Sequence, residues 1–207
     1  YSFSTHICGG KIISVPRNSQ FAVDVDAVIA AITARTKIIF LASPNNPTGN
    51  ILPAEDLLRL VDTGILVVID ETYYEFSGIT HAKLVKDYPN LIILRSLSKW
   101  AGLASLRIGY GLMDPTLVKW LMTIKPPYNI NAAAEQALLA SLEDTDYLKA
   151  NVTAIIEERD RMISNLGDID GLNPLPSSGN FILVEVPQAS GQSICEELSS
   201  YNIFVRD

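Results

Sequence analysis

The 207-residue chain is poor in the residues on which several classes of protein depend. Its two cysteines, Cys8 and Cys195, lie far apart and form no paired motif, so a disulfide framework is excluded and reduced thiols are expected. Its two histidines, His6 and His81, have no metal-ligand spacing with any neighbour. We therefore predict no metal site and expect both histidines at the surface or at a boundary.

Basic residues and long apolar runs are also scarce. Lysine and arginine number 16 against 23 acidic residues, and the net charge of −7 argues against nucleic acid or an anionic membrane as the main partner. The longest apolar runs have the length of a strand, so no segment is predicted to span a bilayer. A hydrophobic content of 48% is nevertheless enough for a sizeable core in one or two domains.

Apolar runs alternate with segments of helical spacing, which predicts an α/β fold with a mostly parallel sheet flanked by helices. The predicted strands are Gly10–Val15, Ile38–Ala42, Leu66–Asp70, Leu91–Arg95 and Ile108–Leu112, with helices over Val25–Ile32 and Pro53–Asp62. After Pro126–Pro127 we predict helices over Ala132–Leu142, Asp146–Leu166 and Ile194–Tyr201, and strands over Gly179–Val186 and Ile203–Val205.

A lysine follows two hydroxyl side chains at the end of one apolar run, in Ser96–Lys99, and Arg107 comes eight residues later. Hydroxyls and a guanidinium can hold phosphate oxygens, while the lysine amine can form a Schiff base with a carbonyl. Pyridoxal phosphate is a cofactor that offers both groups. The alternative is a loop in which Ser96 or Ser98 caps a helix.

Two further segments fit the same cofactor. Asp70 ends a buried strand, where open α/β sheets place their ligands, and its carboxylate can pair with a protonated pyridine nitrogen. The stiff turn Ala42–Gly49 can aim the Asn46 amide at the phenolic oxygen of the ring. Because Asn46, Asp70 and Ser96 all follow strands or end them, we expect them to converge on one edge of the sheet. The alternative for Asp70 is a cap on the next turn.

Together these motifs resemble those of the fold-type-I pyridoxal-phosphate aminotransferases, in the same order and over essentially the whole chain. The matching stretches are Ser43–Gly49, Asp70–Phe76, Ser96–Lys99 and Leu106–Gly111. Within that superfamily the chain most resembles the histidinol-phosphate aminotransferases of histidine biosynthesis, through Tyr73–Gly78, Tyr88–Arg95, Lys125–Ile130 and Ile203–Asp207.

The resemblance implies a role for each matching residue at the ring. Lys99 matches the lysine that forms the Schiff base and shuttles the proton, and Asp70 matches the partner of the pyridine nitrogen. Tyr73 and Asn46 match the groups that bind the ring oxygen, and Asn46 also lies on the substrate side. A strand-end tyrosine without a role is the alternative for Tyr73.

The resemblance also implies ligands for the phosphates and the ring face. Ser96, Ser98 and Arg107 match ligands of the cofactor phosphate, and Tyr1 resembles the aromatic residue that stacks on the ring. Arg206 resembles an arginine that meets the substrate phosphate. A structural ion pair with Asp70 or Glu71 is the alternative for Arg107, and a solvated position is the alternative for Arg206.

The implied reaction transfers the amino group of L-glutamate to imidazole acetol phosphate, giving L-histidinol phosphate and 2-oxoglutarate. Other enzymes of the superfamily (aromatic or aspartate aminotransferases, phosphothreonine decarboxylase) and the aminotransferase-like sensor domain of a transcription regulator stay open. The resemblance further implies a large cofactor domain over residues 1–150, the start of a small α/β domain over residues 151–207, and a homodimer. The expected location is cytoplasmic, with a plastid as the alternative.

The chain departs from the family pattern in two ways. Thr72 stands where alanine is usual and Ser105 where glycine is usual, and we expect neither to touch the chemistry. The sequence begins at Tyr1, inside what resembles the family's Pro-Thr-Tyr segment. We therefore expect a partial chain, without the first helices, the glycine-containing turn at the cofactor phosphate and the end of the small domain.

Overall fold

A four-stranded sheet forms the centre of the molecule. The computed structural model describes residues 1–187 and 190–207. The strands are β1 (Ile38–Ala42), β2 (Leu66–Asp70), β3 (Leu91–Ser96) and β4 (Gly109–Leu112), which lie in that order across the sheet. β1, β2 and β3 are parallel, and β4 runs antiparallel to β3. The carboxyl ends of three successive strands therefore meet at one edge, where Ala42, Asp70 and Leu94 are in register.

Helices surround the sheet and continue the chain beyond it. They are α1 (Ser2–Ile7), α2 (Val25–Ala30), α3 (Ala54–Val61), α4 (Tyr74–Ser77), α5 (Pro115–Ile124), α6 (Ala132–Glu143), α7 (Thr145–Gly167) and α8 (Gly191–Ser200), with short 3-10 turns at Ala82–Lys86 and Ala104–Leu106. A small antiparallel pair, β5 (Asn173–Pro174) and β6 (Val184–Glu185), follows α7. The predicted domain boundary after residue 150 falls inside α7 and stays a prediction.

The main core lies where α2 and α3 cover one face of the sheet. Leu57 and Leu60 of α3 are fully buried and share one hydrophobic cluster with Val67 and Ile69 of β2 and Ile93 of β3. β2 and β3 bury residues on both faces because they are the central strands, as their continuous apolar runs predict. A second, smaller cluster of Leu97, Ala101, Ile108 and Ala134 packs the segment after β3 against α6.

Several sequence predictions are confirmed and others are wrong. The predicted bounds of β1 and β2 agree with the structure residue for residue, and the helices over 132–142 and 146–166 are confirmed to within a residue at each end. Gly10–Val15 and Ile203–Val205 form no strand, and only Val184–Glu185 does so within 179–186. A β-branched run becomes a strand only where a neighbour completes its hydrogen bonds, and the described sheets offer none to these segments.

Three helices are absent from the sequence prediction. For α5 a signal exists, because Pro115 opens the helix and the Asp114 carboxylate accepts a hydrogen bond from the backbone N–H of Thr116. α1 has no side-chain cap and no buried residue, and α4 is a single turn, so neither carries a helical pattern. Among the described residues, no helix has the length and apolar character needed to cross a membrane.

Candidate functional site

A cavity of about 280 Å³ lies at the carboxyl edge of β1 and β2. The prediction that the strand-end residues converge is confirmed here for Asn46 and Asp70. The residues that line the cavity come from the N-terminus, the turn after β1 and the end of β2: Tyr1, Ala42, Pro44, Asn46, Asp70, Thr72 and Tyr73.

The Asp70 carboxylate is fixed on one side and engaged by a single hydroxyl on the other. Its Oδ1 accepts hydrogen bonds from the backbone N–H of Thr72, at 2.9 Å, and from the Thr72 hydroxyl, at 2.6 Å. Its Oδ2 accepts a hydrogen bond from the Tyr1 hydroxyl. The expectation that Thr72 would not touch the site is therefore wrong, because the hydroxyl that replaces the usual methyl group reaches the carboxylate.

Asn46 and Tyr73 form one hydrogen-bonded unit across the cavity. The Asn46 side-chain amide donates to the Tyr73 hydroxyl at 2.9 Å. The turn that carries Asn46 is closed by bonds from Gly49 N to Asn45 O, at 2.7 Å, and from Asn45 N to Asn50 O, at 2.9 Å. A closed turn leaves Asn46 little conformational freedom, so its amide is aimed before any ligand arrives.

Tyr1 lies beside Asp70 with its ring stacked on Phe40. The two ring centroids are 4.7 Å apart and the planes differ by 13°. Partial burial of the phenol raises the pKa of Tyr1 above its ordinary value, and both the hydrogen bond to Asp70 and the charge of that carboxylate add to the effect. The hydroxyl is therefore held protonated, as a donor.

Lys99 follows β3 and faces the same tyrosine. Its ammonium nitrogen lies 5.9 Å from the centroid of the Tyr73 ring, and the residue is exposed. Ser96 Oγ accepts from the backbone N–H of Ser98 at 3.1 Å. The alternative in which Ser96 or Ser98 caps a helix is wrong, because the residues that follow form bends and turns.

Arg107 and Arg206 do not line the cavity. Arg107 adopts a left-handed backbone conformation with φ of 57°, and its guanidinium donates to the carbonyl of Ala104 at 2.8 Å. Among the described contacts it makes no ion pair with Asp70 or Glu71. Arg206 is exposed near the end of the chain and does not line the cavity.

The carboxylate next to Asp70 belongs to a buried network that sequence reasoning missed. Glu71 is fully buried and forms an ion pair at 2.7 Å with Arg95, which is 7% exposed. Glu71 also accepts from the Thr80 hydroxyl, at 2.8 Å, and from the backbone N–H of His81, at 2.7 Å. The guanidinium of Arg95 lies 3.3 Å over the ring of Tyr74. The charge of Arg95 inside an apolar strand is the signal that could have found this pair.

His81 is buried within the same network, so its expected place at the surface or a boundary is wrong. Its Nε2 lies 3.0 Å from the carbonyl oxygen of Leu52. A satisfied ring nitrogen and backbone N–H explain how a histidine is tolerated there.

The arrangement of the sheet and the site defines a class of protein. Parallel strands that bring an aspartate, an asparagine–tyrosine pair and a following lysine to one edge belong to the fold-type-I pyridoxal-phosphate transferase fold. A solved histidinol-phosphate aminotransferase from Clostridium acetobutylicum matches with a TM-score of 0.92 at 25% identity, over 100% of this chain and 64% of that chain. One from Sinorhizobium meliloti, in complex with pyridoxal-5'-phosphate, matches at 0.86 and 31% identity, over 99% and 58%.

The chain belongs to the aminotransferase class I and II family, whose sequence profile matches residues 1–207. A histidinol-phosphate aminotransferase of Dehalococcoides mccartyi strain CBDB1 is 42% identical over 206 residues, which cover 100% of this chain and 58% of the relative. The chloroplastic histidinol-phosphate aminotransferase 1 of Arabidopsis thaliana is 43% identical over 209 residues, covering 100% and 50%. The chain thus spans little more than half the length of these relatives.

Proposed function

We propose that this chain carries the cofactor site of a pyridoxal-phosphate-dependent aminotransferase that converts imidazole acetol phosphate and L-glutamate to L-histidinol phosphate and 2-oxoglutarate, in histidine biosynthesis. The observation that carries the proposal is the cavity at the sheet edge, where Asn46, Asp70 and Tyr73 meet with Lys99 close by. The names of the relatives, at 41–43% identity, support the choice of substrate.

The donor set at the cavity fits the chemical groups of pyridoxal phosphate. Asp70 offers an Oδ2 that a single hydroxyl engages, and an N–H donor can replace that hydroxyl. The paired amide and phenol of Asn46 and Tyr73 offer hydrogen-bond donors for a ring oxygen. Lys99 offers an amine near the Tyr73 ring. Bound pyridoxal phosphate supplies an electron sink for charge that develops at the substrate α-carbon.

Asp70 supplies the negative charge on which that chemistry depends. The Thr72 contacts hold its Oδ1, so Oδ2 keeps a fixed position and the carboxylate enters the reaction already oriented. A carboxylate in this place favours the protonated form of a neighbouring ring nitrogen.

Lys99 would carry out the proton transfers of the reaction, and Tyr73 lies beside it. The Lys99 amine would accept the proton that leaves the substrate α-carbon and would deliver it to the cofactor carbon. The Asn46 amide holds the Tyr73 hydroxyl in place, where it would donate to the ring oxygen. Lys99 lies near the Tyr73 ring and is exposed. Its side chain is therefore free to move between the substrate α-carbon and the cofactor carbon.

Phosphate ligands complete the proposal. Ser96, Ser98 and Arg107 would hold the cofactor phosphate, and Arg206 would meet the substrate phosphate. For Arg107 this requires that the guanidinium leave the carbonyl of Ala104.

We further propose a homodimer, a large domain over residues 1–150 and a small domain that starts at residue 151. Exposed apolar side chains on and after α5, such as Trp120 and Tyr128, support an apolar partner surface. A cytoplasmic location is proposed, with a plastid as the alternative supported by the chloroplastic plant relatives.

The test adds L-histidinol phosphate to the full-length protein that carries this sequence, loaded with pyridoxal phosphate. We expect the cofactor to be converted to its amine form, which its absorbance reports, and 2-oxoglutarate to restore the aldehyde form. A response only to L-aspartate or an aromatic amino acid would assign a different aminotransferase. Release of carbon dioxide from O-phospho-L-threonine would assign a decarboxylase.

A further inference from the structure

The loop between β5 and β6, residues 175–183, reaches back to the cofactor site from the far end of the chain. The backbone N–H of Ser178 donates to the carbonyl of Gly49 at 3.0 Å, so the loop meets the turn that carries Asn46. Phe181 lies edge-on to the Tyr73 ring, with centroids 5.0 Å apart and planes at 83°. The loop therefore touches both the Asn46 turn and the Tyr73 ring.

The contact at Gly49 is too close for any side chain. Gly49 has φ of 74°, and a Cβ there would lie 2.6 Å from Ser177 Cα and 2.7 Å from Ser177 Oγ. Since one of these atoms is backbone, the loop would have to move away. Glycine at this position thus serves the approach of the loop as well as the conformation of the turn.

One contact from α7 and one close approach within the loop hold its conformation. Arg159 of α7, whose side chain is 11% exposed, donates from Nη1 to the carbonyl of Gly179 at 3.0 Å. Gly179 is itself buried, and a Cβ on it would lie 2.5 Å from the Phe181 ring. The absence of a side chain at Gly179 is therefore what lets Phe181 fold back toward Tyr73.

We propose that residues 177–181 form a positioning segment that docks on the Asn46 turn and holds Tyr73 through Phe181, which makes Phe181 and Gly49 positioning residues of the site. The inference rests on the proposed function and deepens it. An edge-on aromatic contact restricts the tilt of Tyr73, and the docked loop restricts the turn that orients Asn46. Binding of pyridoxal phosphate then depends on a segment remote in sequence from both residues.

The first arm compares Gly49→Ala with Gly64→Ala. Gly64 has the same φ of 74°, but a Cβ there would meet no heavy atom within 4 Å, so this variant reproduces the backbone strain without the collision. In the full-length protein without cofactor we expect faster amide hydrogen exchange at residues 43–50 and 175–183 for Gly49→Ala alone. We also expect pyridoxal phosphate binding to weaken on the order of tenfold, the effect of losing about 1.4 kcal/mol of interaction.

The second arm keeps the test decisive if Gly49→Ala does not fold. Phe181→Ala should weaken cofactor binding, Phe181→Leu should restore part of it, and Ile182→Ala, on the neighbouring residue, should have little effect. Because Phe181 acts through Tyr73, adding Phe181→Ala to Tyr73→Phe should cost less than it does in the wild-type chain.

The outcomes separate the two proposals. Unchanged exchange at residues 43–50 in Gly49→Ala, or additive effects of Phe181→Ala and Tyr73→Phe, would overturn the positioning segment. A full-length wild-type protein that binds no pyridoxal phosphate would refute the proposed function, while the exchange arm would still decide whether the loop docks.

Discussion

At the scale of single residues, Thr72 orients the Asp70 carboxylate. Its hydroxyl and backbone N–H both hold Asp70 Oδ1. We predict that Thr72→Val, which keeps the shape and removes the hydroxyl, weakens pyridoxal phosphate binding on the order of tenfold, since a hydrogen bond to a charged group is lost. Binding is measured by titration of the absorbance of the cofactor.

Thr72→Ser is the matched control because it restores the hydroxyl without the methyl group. It should bind the cofactor nearly as the wild type does. Equal affinities for Thr72→Val and the wild type would mean that the backbone N–H alone orients Asp70.

At the scale of elements, the Glu71–Arg95 pair joins the end of β2 to the end of β3. Removing one partner leaves a buried charge, which costs about 3–5 kcal/mol. We predict a loss of this order in the free energy of unfolding for Arg95→Met, measured by urea denaturation.

A double-mutant cycle provides the control for this pair. Glu71→Gln removes the charge but keeps an oxygen that can accept from the backbone N–H of His81. The double variant Glu71→Gln/Arg95→Met should therefore be more stable than Arg95→Met alone. Additive losses would contradict the account.

A second prediction at this scale concerns the carboxyl group of Glu75, in α4. Burial raises the pKa of Glu75 to about 7, helped by the charge of Glu71, and Glu75 Oε2 finds no hydrogen-bond partner among the described residues. The unfolded chain releases this proton first, so this group's contribution to stability is full below its ordinary pKa of 4.5 and is lost as pH rises to about 7.

We predict that Glu75→Gln removes this dependence. The variant should match the wild type near pH 4, where Glu75 is protonated in the folded chain and largely so in the unfolded one, and should be more stable above pH 7. Urea denaturation across that pH range is the measurement. Parallel curves for the two proteins would show that Glu75 does not titrate in this window.

The elements also show what a sequence can and cannot predict. β1 and β2 were predictable because a continuous apolar run is typical of a strand that is buried within a parallel sheet. Gly10–Val15 is also rich in β-branched residues but pairs with no described strand. Its composition therefore predicted a strand that the structure does not contain. The convergence of Asn46 and Asp70 at one edge of the sheet was predictable because both lie just beyond or at strand ends. Glu71–Arg95 and Phe181–Tyr73 depend on register and on a loop returning across the molecule, which local pattern does not encode.

At the scale of the whole molecule, the central strands of the sheet are well buried, whereas several apolar side chains on and after α5 are exposed. Trp120, Ile124 and Tyr128 are 69%, 78% and 95% exposed. We predict that the full-length protein is a dimer by analytical ultracentrifugation and that Trp120→Asp shifts it toward the monomer. A monomeric wild type would contradict the homodimer, and a dimer unaffected by the substitution would place its interface elsewhere.

The central claim is that the cavity at the sheet edge binds pyridoxal phosphate through Lys99, and covalent trapping tests it most directly. The full-length protein would be loaded with pyridoxal phosphate, reduced with borohydride and digested, and the modified peptide identified by mass spectrometry. We predict a phosphopyridoxyl group on Lys99 in the wild type and no label on the corresponding peptide of Lys99→Ala. A label on another lysine, at equal yield in both proteins, would contradict the account.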